Sequence, residues 1–339
     1  MDLSSGPHDG ASFVPGSLLL GAIQGTNLSE DEKNFLASHR VSGVTLFRRN
    51  LQSYTQIESL TAQIQACRYA GEPPLIIAVD QEGGRVNRLP QPFPNLGPPL
   101  ELYPGVDAES LDKLYDYGRE VGCELLRLGI NVNFAPVVDV LTNPENHGIG
   151  DRVFGRSPET VIPRAKAYLR GLEATGVKGC LKHFPGQGDA GEDTHHSETT
   201  ISAERGLLWD RELQPFRQMV SDVALVMAGH GHYPSLDAND AASMSAPILK
   251  DLLRQELGFD GVVLSDDMNM SAVPQGDDWS KALIRSLKAG CDLVLVCEGL
   301  DRCQRAVAAL ADAANHQAGM ISCLTKSSER VFEFRRSLK

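Results

Sequence analysis

Ionisable side chains recur in this sequence directly after short apolar runs. Asp80-Gln81-Glu82-Gly83-Gly84-Arg85 and Arg88 follow one run, and Asp139 and the stretch from Asn143 to Arg152 follow the next. Lys182-His183-Phe184-Pro185-Gly186-Gln187-Gly188-Asp189 closes a third and leads into Asp193-Thr194-His195-His196. His230 and His232 follow a fourth, and Ser265-Asp266-Asp267 ends a fifth. Burying so many polar groups without a ligand would be costly. A carboxylate such as Asp266 can act as a covalent nucleophile in glycoside cleavage. Its bland alternative is a helix N-cap, a role that Asp267 could fill instead, leaving Asp266 for chemistry. Asp193 and His195, two residues apart, can set a carboxylate beside an imidazole, fixing its tautomer and raising its basicity. The rival reading of that pair is a solvated acidic loop. Lys182, His183, Asp80, Arg88 and Arg152 would offer donors and acceptors from several sides, as a sugar ring needs. A surface ion pair is the plainer role for Arg85 or Arg88.

Five of the nine histidines fall between His183 and His232, so a metal has to be weighed. His183, Asp189, Asp193, His195, His230 and His232 could supply ligands. There is no HExxH helix and no HxH directly after the first strand, so the expectation is no metal and no cofactor.

The elements that would position these groups alternate. Apolar runs at 18–22, 43–47, 75–80, 132–136, 179–183, 225–228, 262–266 and 293–297 read as strands. Amphipathic segments at 30–39, 54–69, 110–128, 158–175, 205–220, 246–256, 279–289 and 301–315 read as helices, and a basic amphipathic helix near 322–336 closes the chain. Strands apolar on both faces imply a parallel sheet covered by helices. An open doubly wound sheet would satisfy that, but eight strand–helix alternations fit a closed (β/α)8 TIM-type barrel better. Gly129, Gly176, Gly258 and Gly290 each follow a helical segment and precede a strand, as C-cap glycines do. The Pro-rich stretch 89–104 reads as a loop, because the alternation continues on both sides. The expected organisation is one catalytic barrel domain over 1–339, with its site at the carboxyl ends of the strands.

Composition narrows the function. The 339 residues carry 32 Lys and Arg against 44 Asp and Glu, a net charge of −12, which disfavours a nucleic-acid backbone binder. No apolar run reaches the roughly 18 residues that span a bilayer, and the first residues lack the pattern of a signal peptide. The seven cysteines are dispersed, odd in number and free of CxxC, which reads as free thiols in a reducing cytoplasm. Oligomeric state has no signature in the sequence.

Several long motifs occur in family order. They are Asp80-Gln81-Glu82-Gly83-Gly84-Arg85-Val86, Asp151-Arg152-Val153-Phe154-Gly155, the Lys182–Asp189 segment, Asp193-Thr194-His195, and the run from Gly258 to Met268. In these the chain resembles glycoside hydrolase family 3, and more narrowly its single-domain bacterial β-N-acetylglucosaminidases (β-hexosaminidases) of peptidoglycan recycling. The resemblance implies a (β/α)8 barrel and a retaining mechanism through a glycosyl-enzyme intermediate. It implies Asp266 as nucleophile, His195 as acid/base with Asp193 as its orienting partner, and Asp80, Arg88, Arg152, Lys182 and His183 as sugar-binding positions. The implied substrate is a GlcNAc-1,6-anhydro-MurNAc muropeptide. Three places depart from the family pattern: Gln187 replaces a histidine, His147-Gly148 stands where Pro-Val would be usual, and His196-Ser197-Glu198 follows His195. They bear on loop packing and aglycone contacts. The glycine-rich segment 186–198 is expected to act as a lid carrying His195.

The rival readings are another family 3 β-glycosidase such as a β-glucosidase, a phosphorylase, a metal-dependent barrel hydrolase, and a sugar-binding barrel without catalysis. The Asp-x-His loop argues against the glucosidase. The intact Asp193, His195 and Asp266 argue against the inactive barrel. Metal analysis separates the metal-dependent hydrolase, and added phosphate the phosphorylase.

Overall fold

In the computed structural model, which describes residues 13–191 and 199–339, each of the eight apolar runs contributes strand. The strands are β1 (Leu19–Ala22), β2 (Gly43–Leu46), β3 (Ile76–Val79), β4 (Val132–Asn133), β5 (Lys178–Gly179), β6 (Leu181–Phe184), β7 (Leu225–Ala228), β8 (Val262–Asp267) and β9 (Leu293–Leu295). All neighbouring pairs are parallel, in the order β5-β4-β3-β2-β1-β9-β8-β7-β6. The two ends of that order, β5 and β6, are one course interrupted only by Cys180. Hydrogen bonds run across the interruption, from Cys180 N–H to the Ala135 carbonyl (3.0 Å) and from Val138 N–H to the Lys182 carbonyl (2.9 Å). The sheet is therefore a closed barrel of eight courses, the TIM-type (β/α)8 fold.

The helices are α1 (Glu30–Ser38), α2 (Tyr54–Ala66), α3 (Ala108–Arg127), α4 (Pro158–Ala174), α5 (Arg205–Asp210), α6 (Gln214–Met219), α7 (Trp279–Ala289), α8 (Leu300–His316) and α9 (Met320–Arg336), with a further wound segment at Pro247–Glu256. Local chemistry sets their ends. Ser29 and Glu32 form a capping box at the start of α1. Gly290, at φ 132°, reverses the chain between α7 and β9, and Gly129, Gly176 and Gly258 also take positive φ. Helices α3 and α4 touch through glycine. A Cβ on Gly118 would lie 2.2 Å from the Tyr168 carbonyl oxygen, so no larger residue fits there.

Two expected elements differ. The helix expected over 205–220 is split into α5 and α6, because Pro215 lacks an N–H and its ring would clash with the carbonyl four residues back, at Arg211. The strand expected over 132–136 ends at Asn133, and Pro136 cannot donate to a ladder. Past that point the chain turns toward the barrel mouth. Arg164 of α4 secures this region, donating to the carbonyls of Pro99 (3.0 Å), Leu102 and Phe154. It thereby joins the Pro-rich loop to the segment carrying Arg152.

Candidate active site

A cavity of about 340 Å³ opens at the carboxyl ends of the strands, within the size range of small-molecule sites. Asp80 and Glu82 reach it from the end of β3, Lys182 and His183 from β6, and Asp266 and Asp267 from the end of β8. Arg88 and Arg152 arrive on the loops after β3 and β4. Six of the residues expected to form the site, Asp80, Arg88, Arg152, Lys182, His183 and Asp266, thus line one cavity. Asp193 and His195 lie outside the described residues, as does most of the expected lid.

The floor is a compact ionic group. Glu82 is buried and takes a bidentate pair from Arg152, at 2.8 and 2.9 Å. Lys182 Nζ lies 2.6 Å from both Glu82 Oε1 and Asp80 Oδ1. Burial alone would raise the Glu82 carboxyl, but the Arg152 and Lys182 charges overcome it and hold it well below the usual carboxylate range. Burial likewise works against the Lys182 ammonium, and Asp80 and Glu82 reverse that, raising it. Two carboxylates and two cations leave this group formally neutral. Its donors and acceptors are held by their neighbours, as hydroxyl recognition requires.

His183 is oriented from behind. Its Nδ1 lies 2.7 Å from Asp139 Oδ2, and its backbone N–H donates to Asp139 Oδ1 at 3.2 Å. Asp139 Oδ1 also accepts from Gln187 N–H at 2.8 Å. A carboxylate oxygen accepts, so Nδ1 is the donor in this contact, and Nε2 lies 3.5 Å from an Arg152 nitrogen. Glu82 and Asp139 are two polar residues that the sequence shows after apolar runs but to which it gave no role in the site. Glu82 stood inside a quoted motif, but only its partners, 70 and 100 residues away, reveal its place.

At the end of β8 the Asp267 N–H donates to Asp266 Oδ1 at 2.8 Å. The Asp267 carboxylate accepts from Asn269 N–H (3.0 Å) and Cys297 N–H (3.1 Å). It therefore caps a turn and ties β8 to the end of β9, and no helix starts there, contrary to its expected role as a helix cap. Burial, with Asp266 beside it, pushes its carboxyl up to about 6. Arg85 makes the half-exposed ion pair foreseen for it, with Asp151 at 3.1 Å. Arg88 is the less committed cation: its Nε is buried and has no partner among the described residues. His230 is buried and bonded on both sides, to Ser243 Oγ (2.6 Å) and to the Asp267 carbonyl (3.0 Å). Among the described residues no group of three or more His, Cys, Asp or Glu is arranged to hold a metal.

Lys182→Met would take the cation from Asp80 and leave the buried Glu82 with Arg152 as its one cationic partner among the contacts described. Steady-state kinetics is expected to show kcat falling and KM rising together, each by about tenfold or more, because positioning groups act in ground and transition states alike. Full activity in that variant would remove the ionic group from substrate binding.

Residues 16–333 match the profile of the glycosyl hydrolase family 3 N-terminal domain. A β-hexosaminidase of Nitrosomonas eutropha is 39% identical over 291 residues, 84% of this chain and 82% of that protein. A family 3 β-N-acetylglucosaminidase from a Paenibacillus species superposes with a TM-score of 0.87 at 33% identity over 95% of this chain, which spans 62% of that longer protein. NagZ from Neisseria gonorrhoeae, solved with N-trifluoroacetyl-D-glucosamine, gives a TM-score of 0.79 at 31% identity, covering 96% of this chain and 97% of that one.

Proposed function

The chain belongs to glycosyl hydrolase family 3, and on that premise we propose that it is a retaining exo-β-N-acetylglucosaminidase releasing terminal GlcNAc from GlcNAc-1,6-anhydro-MurNAc muropeptides in cell-wall recycling. The observation that carries this reading is the Asp266 carboxylate at the wall of a single cavity whose floor is the Asp80–Lys182–Glu82–Arg152 ionic group. β-Hexosaminidases and GlcNAc-cleaving enzymes among the relatives support the sugar class.

In the proposed reaction Asp266 attacks the anomeric carbon and forms a glycosyl ester. His195, oriented by Asp193, protonates the departing glycosidic oxygen and then takes a proton from the water that opens the ester. Asp80, Arg88, Arg152, Lys182 and His183 hold the sugar. The scheme uses no metal or cofactor. We propose that one barrel domain suffices, with acid and nucleophile both supplied by barrel loops. The seven cysteines are free thiols, which supports a reducing compartment and hence the cytoplasm. No helix among the described residues is long and apolar enough to cross a membrane.

Turnover of p-nitrophenyl-GlcNAc against p-nitrophenyl-glucose tests the reading. GlcNAc should be strongly preferred, chelator should leave the rate unchanged, and phosphate should yield no sugar phosphate. Equal turnover of the two sugars would overturn the specificity, and loss of activity with chelator the mechanism. The acid is tested by leaving groups. His195→Ala is expected to slow poor leaving groups by about 10²-fold or more and good ones far less, since an acidic phenol needs little protonation. Asp193→Ala should follow the same trend more mildly. Equal loss for every leaving group would make His195 a binding residue.

A further inference from the structure

The end of β8 leaves its neighbour before it reaches the cavity. The last residue of β8 paired with β7 is Ser265, opposite Ala228. Asp266 and Asp267, both half-buried, run on past that point, and their backbone polar groups need partners from elsewhere. On the β9 side Met268 N–H donates to the Leu295 carbonyl at 2.9 Å, and Cys297 N–H reaches the Asp267 carboxylate. On the β7 side the partner is a side chain. His230, two residues beyond β7, sets Nε2 3.0 Å from the Asp267 carbonyl oxygen.

The network fixes the ring's state. A carbonyl oxygen only accepts, so Nε2 carries a proton. Burial lowers the basicity of His230, so the ring is neutral and Nδ1 is an acceptor. Ser243, itself buried, then donates its hydroxyl to Nδ1 at 2.6 Å. The chain of contacts continues toward the cavity, because the same Asp267 residue donates its N–H to Asp266 Oδ1. Whatever fixes the Asp267 backbone therefore fixes the direction of the Asp266 carboxylate.

We propose that His230, with its tautomer set by Ser243, is a positioning residue that replaces the missing ladder bond of β8 and aims the Asp266 carboxylate at the anomeric carbon. The proposal rests on Asp266 being the nucleophile. His230 touches no substrate and moves no proton in this role. A displacement of the nucleophile by about 1 Å can cost roughly 10²-fold in rate with little change in substrate affinity.

The test compares His230→Leu, His230→Gln, Ser243→Ala and Ser243→Thr in the full chain, reading kcat, KM and the rate of covalent trapping by a fluorinated glycosyl fluoride. His230→Leu is expected to lower kcat and the trapping rate by about 10²-fold with KM within about threefold. His230→Gln keeps an N–H donor near the Nε2 position and should recover to within about tenfold of wild type. Ser243→Ala should fall between them and Ser243→Thr should restore it, a comparison that decides the matter even if the leucine variant does not fold. Gln as impaired as Leu, KM rising in step with the fall in kcat, or all four variants near wild type would overturn the proposal. A wild-type enzyme that never labels at Asp266 would instead overturn the nucleophile assignment, a separate failure.

Discussion

Asp266→Ala is expected to lower kcat by about 10⁴-fold or more while the protein still folds, because removing the attacking group removes the covalent route. The geometry separates this residue from its neighbour. Asp267 has its carboxylate engaged by two backbone N–H groups, from Asn269 and Cys297, and so holds structure together. Asp266 lines the cavity and is steadied by the Asp267 N–H. Asp267→Asn should therefore cost less activity and more stability than Asp266→Ala. A fluorinated sugar with a good leaving group should label the peptide at Asp266. Azide added to Asp266→Ala should restore turnover of an activated substrate and give the glycosyl azide of inverted configuration, since the anion would attack from the face the carboxylate vacates. Labelling at Asp267, or turnover by Asp266→Ala near the wild-type rate, would remove Asp266 from the role.

The barrel was legible because its strands are buried on both faces. Runs such as Leu225–Ala228 have no polar alternation and can only be interior to a helix-covered parallel sheet. Once the barrel is read, the convergence of Asp80, Lys182, His183 and Asp266 follows, because closure brings the carboxyl ends of distant strands to one mouth. Pairings between mouth residues were not legible. The Glu82–Arg152 and His183–Asp139 contacts join residues 70 and 44 positions apart, and local spacing carries no trace of them. The break between α5 and α6 was legible in principle at Pro215, but the amphipathic pattern runs through it and outweighed the proline. Asp267 shows the opposite error: a residue type favoured at helix caps was read as one, while the structure uses it to tie two strand ends.

The buried ionic group also predicts how the protein responds to acid and to loss of its central carboxylate. Glu82 is buried against Arg152 and Lys182, so Glu82→Gln would leave two cations with one remaining carboxylate, Asp80, which contacts Lys182. The amide cannot satisfy both edges of the Arg152 guanidinium: with its oxygen in the Oε1 place it accepts from Lys182 and Arg152 Nη2 but sets its N–H₂ against Arg152 Nε, and turned over it sets N–H₂ against Arg152 Nη2 and the Lys182 ammonium, donor against donor. Breaking a buried pair in this way costs about 3–5 kcal/mol, expected here as a fall of about 5–10 °C in melting temperature together with loss of activity. The half-exposed Arg85–Asp151 pair is the control, since removing it should cost less than about 1 kcal/mol. The pH dependence has a definite sign. The folded Glu82 carboxyl titrates well below its unfolded value of about 4.3, so its stabilisation is present above that value and is lost as the pH falls below it. Wild type should therefore lose stability on acidification more steeply than Glu82→Gln, and the gap between their melting temperatures should narrow below pH of about 4. A gap that stayed constant to lower pH would mean that the cost of the substitution is one of shape, and that the charge on Glu82 contributes nothing. A Glu82→Gln protein with wild-type melting temperature and kcat/KM would mean that Asp80 alone holds Lys182 in place.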